Sequence, residues 1–127
     1  MSMEKKITLS ALGKTWVLDL DGTVVVHNGY LADGKDTLLP GAKTFLDAIP
    51  EGDMIIFLTS RKKDYAELTE RFLKEHDIRY DAILYEAPYG ERILINDRKP
   101  SGLTTAFAVN TERNVFCETI FQVDEGL

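Results

Sequence analysis

Trp16-Val17-Leu18-Asp19-Leu20-Asp21-Gly22-Thr23 is the stretch that decides how this chain of 127 residues is read. Three apolar, β-favouring residues run into two acids and a glycine, as a buried parallel strand does when it reaches an active-site edge. Side chains alternate along a strand, so Asp19 and Asp21 point to one side and Leu20 to the other. Two carboxylates in one pocket repel. A hard cation such as Mg²⁺, bound through one or two carboxylates with phosphate oxygens and water, is the simplest compensation. Gly22 lets the chain leave the strand sharply. A pair of acids with turn-capping duties is the bland alternative, and the flanking sequence has to separate the two.

Val24-Val25-Val26 followed by His27-Asn28-Gly29 reads as a short extended arm and a turn, a small flap, because Asn-Gly suits positive backbone angles. Pro40 opens a helix, and Ala42, Phe45, Leu46 and Ile49 fall on one helical face. Met54-Ile55-Ile56-Phe57-Leu58 is a second buried strand that runs directly into Thr59-Ser60-Arg61. A helix over 64–76 carries Tyr65, Leu68, Phe72 and Leu73 along one stripe. Further strands are expected at 82–85, 92–95 and 106–109, and the tail beyond Val115 has room for one more edge strand.

The alternation of strands and helices predicts an α/β fold: one domain over 1–127, with a core over about 15–110 and a tail over 111–127. The expected sheet is open, mostly parallel and Rossmann-like, with flanking helices. Ligands of such sheets sit beyond the carboxyl ends of the strands, where Asp19, Thr59 and Asp97 all fall. No function is read in Met1 to Lys6.

Asp19-Leu20-Asp21-Gly22-Thr23 after a buried strand resembles the first motif of the haloacid dehalogenase (HAD) superfamily. The resemblance implies that Asp19 attacks phosphorus to give an aspartyl-phosphate, and that Asp21 acts as general acid and then as base for water. Thr59 resembles the second motif, whose hydroxyl binds the transferring phosphoryl group, with Gly22, Ser60 and Arg61 beside it. Asn96-Asp97 resembles the fourth, which completes a Mg²⁺ site with Asp19 and Asp21. Many members carry two adjacent acids there, so Asn96 implies one negative charge fewer. Taken together, the three segments are similar to small phosphatases associated with bacterial capsule and surface-polysaccharide genes, which implies a sugar phosphate or related metabolite as substrate.

One departure bears on activity. The family's third motif is a Lys that neutralises nucleophile and phosphate, and Ala87 stands where it is expected, in Glu86-Ala87-Pro88. Arg61, Arg98 and Lys99 are the candidate stand-ins, with Arg61 favoured, although the usual fate of such side chains is a solvated surface. Without a stand-in, the resemblance implies a catalytically weak or inactive HAD-like binding or regulatory protein. Equal intervals separate Asp21 from Thr59 and Thr59 from Asp97, each filled by a flap or helix and a strand. HAD cap domains occupy these intervals, so a capless form with an open site is implied. Its water is to be excluded by the flap, by a partner subunit in a homo-oligomer or by the substrate.

Composition narrows the remaining classes. A formal charge of −6 with no concentration of Lys and Arg beyond Arg61-Lys62-Lys63 speaks against a nucleic-acid partner. Cys117 is the single cysteine, which excludes an intramolecular disulfide and suits a reducing, cytoplasmic setting. No apolar run approaches the roughly 20 residues of a membrane span, and no secretory signal is read at the start. His27 and His76 lack ligand-spaced companions, which argues against zinc or iron. A signalling receiver domain is also a small α/β protein, but lacks Asp-x-Asp-Gly-Thr after its first strand.

Overall fold

The computed structural model describes residues 5–127. Its elements run β1 (Lys6–Leu9), β2 (Thr15–Leu18), α1 (Gly29–Ala32), α2 (Ala42–Ala48), β3 (Met54–Leu58), a 3₁₀ turn (Lys63–Tyr65), α3 (Ala66–Glu75), β4 (Ala82–Leu84) and β5 (Ile120–Val123). They fall into two compact units. One comprises Gly13–Pro88 with Thr111–Cys117; the other comprises 5–12 with Tyr89–Asn110 and Glu118–Leu127.

In the larger unit β2, β3 and β4 form a parallel sheet in that order. Parallel neighbours need a crossover, and the sequence supplies helices α1 and α2 in the first connection and α3 in the second. Ile55 and Phe57 are fully buried at alternate positions of β3, as expected of the central strand of a covered sheet. Around them lie Leu20, Val24, Val25, Leu39, Ala42, Leu46, Ile49, Phe72, Leu73, Ile78 and Phe116. Ala42, Leu46, Ile49, Phe72 and Leu73 among these come from the helical stripes read from sequence. Asp53 ties the start of the sheet together by accepting from the Lys14 N–H at 3.1 Å and the Trp16 indole at 2.9 Å.

The expected flap is instead part of the core. Val24 and Val25 are buried, and their amides donate to the Leu20 carbonyl at 2.9 and 3.1 Å. Two adjacent valines gain more from burial than an exposed arm would allow. The turn after them holds as read, with Asn28 at φ 55.

In the smaller unit β1 and β5 pair in parallel, with Lys6 opposite Ile120 and Leu9 opposite Val123. The tail strand expected beyond Val115 is β5, whereas β1 was not anticipated. The strands expected at 92–95 and 106–109 do not form: both stretches are irregular, and Ile93 and Ile95 are 82% and 91% exposed. A β-favouring run becomes a strand only when a neighbour takes up its amides, and neither run has one among the described residues. The α/β class and the parallel pairing thus agree with expectation, but the strands divide into two small sheets. No helix among the described residues is long and apolar enough to cross a membrane.

Candidate active site

The chain beyond β2 folds back on itself within one turn. Leu20 accepts three successive amides, those of Thr23, Val24 and Val25, and the Gly22 N–H donates to the Val25 carbonyl at 2.7 Å. Gly22 sits at φ +82, a left-handed conformation that favours glycine, and is buried. This tight loop leaves Asp19 and Asp21 half-buried on one cleft of about 250 Å³, lined also by Gly22, Thr23, Thr111 and Arg113.

The two carboxylates are held differently. Asp19 Oδ2 accepts from the Thr23 hydroxyl at 3.1 Å. Asp21 is gripped by Arg61: Nε donates to Oδ2 at 2.9 Å and Nη2 to Oδ1 at 3.0 Å. The same guanidinium makes a second fork to Asp36, with Nη1 to Oδ2 at 2.9 Å and Nη2 to Oδ1 at 2.6 Å, and donates to Thr69 Oγ1 at 2.9 Å. Arg61 has five N–H donors, and these bonds use all five.

Tyr30 covers the remaining face of the guanidinium, 3.9 Å from its ring centroid. Arg61 is 3% exposed and Asp36 7%. Burial alone favours loss of the arginine's proton. The hydrogen bonds to Asp36 and Asp21 outweigh it, so the guanidinium is more firmly protonated than usual. Burial, then the nearby Asp21 carboxylate, push the Tyr30 hydroxyl above its ordinary pKa. No buried side-chain nitrogen or oxygen among the described residues lacks a partner, the condition under which a buried charge network is tolerated.

Thr59 is fully buried at the end of β3. Its hydroxyl accepts from the Arg61 N–H at 3.1 Å and its own amide donates to the Leu84 carbonyl at 2.9 Å. The Ala87 amide donates to the Thr59 carbonyl at 3.0 Å and the Glu86 amide to the Arg61 carbonyl at 2.9 Å, so the Glu86-Ala87 loop braces the one before it. Ser60 is half-buried between them.

The larger unit therefore contains Asp19, Asp21, Gly22, Thr59, Ser60 and Arg61. Asn96, Asp97, Arg98 and Lys99 lie in the smaller unit, all exposed. There Asn96 Nδ2 and Arg98 Nη1 donate to the Thr105 and Thr104 hydroxyls at 3.0 and 3.1 Å, and the Thr105 hydroxyl donates to the Asp97 carbonyl. The expectation that Arg61 binds phosphate meets a guanidinium with no donor to spare. Asp36, Thr69, Thr111 and Arg113 were not singled out in the sequence. Asp36 and Asp21 lie 25 and 40 residues from Arg61, beyond the range of any local pattern.

Among the described residues no three Asp, Glu, His or Cys side chains gather as a metal cage. Mg²⁺ does not demand one, since it keeps several waters and is commonly bound by one or two carboxylates plus phosphate oxygens. Asp19 fits that mode. Asp21, with each oxygen already accepting from Arg61, fits it less well.

Two solved structures are similar to this chain. A chain of the structure described as the Pnkp1/Rnl/Hen1 complex is 33% identical, covering 65% of this chain and 31% of that one, with a TM-score of 0.50. A chain of the Pnkp1/Rnl/Hen1 RNA repair complex is 34% identical, covering 68% of this chain and 30% of that one, with a TM-score of 0.51. This chain spans under a third of either. No protein-family model matches it, and no curated protein matches it.

Proposed function

We propose that this chain is a Mg²⁺-dependent phosphomonoesterase of HAD type, acting through an aspartyl-phosphate on Asp19. The observation that carries the reading is that two carboxylates share one cleft and are held by different groups: Asp21 is gripped by the buried Arg61, while Asp19 accepts from the Thr23 hydroxyl. A nucleophile and a proton carrier have different tasks, and two carboxylates held by different groups can divide them.

In this reading an Asp19 oxygen attacks phosphorus as the bond to the leaving oxygen breaks, and Asp21 gives that oxygen a proton. Water then attacks the phosphorus of the aspartyl-phosphate, Asp21 takes a proton from it, and the Asp19–phosphorus bond breaks to return the carboxylate and inorganic phosphate. Arg61 is a positioning residue that holds Asp21; two lone-pair sites of that carboxylate remain for the proton. Asp19 would hold Mg²⁺ together with phosphate oxygens and water, and the ion would neutralise the phosphate charge.

The substrate class favoured is a small phosphorylated metabolite such as a sugar phosphate, in keeping with the net charge of −6. A second reading, a terminal phosphate on RNA, is favoured by the likeness to chains of an RNA repair complex. The test is phosphate release with Mg²⁺ across sugar phosphates, nucleotides and a terminally phosphorylated RNA oligonucleotide. Turnover abolished by a chelator and restored by Mg²⁺ supports the assignment. No release on any substrate refutes it and leaves a binding or regulatory protein.

A further inference from the structure

We infer that Arg113 is the cation that receives the phosphate in this cleft, taking the part for which the sequence offers no lysine at Ala87. The inference rests on the phosphoryl-transfer reading of Asp19. Among the described residues, Arg113 is the one cationic side chain in the lining that it shares with Asp19 and Asp21. Its Cγ lies 3.2 Å from where a Cβ on Gly22 would stand, so its stem runs over the acidic loop. The side chain is exposed and makes no hydrogen bond or ion pair among the described residues, in contrast to the fully engaged Arg61. A guanidinium held ready beside two carboxylates, with its forked donors uncommitted, suits a phosphate dianion.

Its backbone is fixed even though its side chain is open. The Asn114 N–H donates to the Gly22 carbonyl at 2.8 Å, and Asn114 Oδ1 accepts from the His27 N–H at 2.7 Å. Asn114 takes φ 64, which asparagine tolerates better than most residues, and Phe116 is buried in the core two residues on. These anchors place the arginine on the cleft before any ligand arrives, and preorganised charge is the kind that stabilises a transferring phosphoryl group.

The experiment pairs two readouts on wild type, Arg113→Ala, Arg113→Lys and Asp19→Asn: calorimetric binding of inorganic phosphate with Mg²⁺, and hydrolysis of p-nitrophenyl phosphate. Arg113→Ala is expected to weaken phosphate binding about tenfold or more and to raise KM similarly, as loss of a charge-assisted bond does. Arg113→Lys should recover part of both, and melting temperatures should stay level because the side chain is exposed. Unchanged phosphate affinity and KM in Arg113→Ala overturn the inference while leaving Asp19 as nucleophile. Equal turnover in Asp19→Asn and wild type overturns the phosphoryl-transfer reading itself. If wild type does not turn over, phosphate binding that depends on Arg113 still upholds the inference, and binding that does not still overturns it.

Discussion

The loops that follow β2 and β3 leave the same sheet at the same ends of neighbouring parallel strands, yet they are built to opposite specifications. The first, around Asp19 to Thr23, is tight, half-buried and open on a cleft. The second, around Thr59 to Arg61, is almost sealed, and its charged side chain is bound on every donor. Under the proposed reaction, chemistry and support are divided between adjacent strand ends. Arg61 couples them, because its side chain belongs to the second loop while two of its donors hold the first.

That division can be broken from either side. Asp19→Asn should lower turnover by a factor on the order of 10³ or more, because an amide is a poor nucleophile. The melting temperature should barely move; a large drop in it with little kinetic loss would assign Asp19 to the support instead. Arg61→Ala should act first on stability, by about 3–5 kcal/mol, since it leaves Asp21 and Asp36 with an uncompensated buried charge. Urea unfolding measures this, and an unshifted midpoint would mean that the network carries little of the fold.

Legibility in the sequence follows the same line between local and distant. The stripe of α3, the apolar run of β3 and the Asp19-x-Asp21-Gly22 turn are patterns within a few residues, and they hold. Thr69 sits on α3 as a polar residue in a buried position, but its reason, a bond from Arg61 and a second to the Tyr65 carbonyl at 2.7 Å, involves another loop. Ile7 and Leu9 alternate with polar neighbours, a signal for β1 that four residues make too short to weigh. Conversely, Ile93-Leu94-Ile95 has strand composition, yet no strand among the described residues pairs with it, and composition cannot report pairing.

The smallest of the expected effects falls on the hinge of the open loop. Gly22→Ala should cost about 1–2 kcal/mol, the penalty for a side chain in the left-handed region. Because the new methyl also meets Arg113 at 3.2 Å, phosphate binding should weaken along with stability. A stability loss with unaltered phosphate affinity would separate the backbone of this loop from the arginine above it.

The clasp between His27 and Asn114 also sets an order in time, since its partners lie 87 residues apart. At a synthesis rate of about 5–20 residues per second, roughly 4–17 s pass between their emergence from the ribosome. Within that interval Asp21, Asp36, Arg61 and Thr69 are all available, so the buried charge network can assemble on the nascent chain. The loop bearing Asp19 is among the first parts of its unit to appear and the last to be walled in.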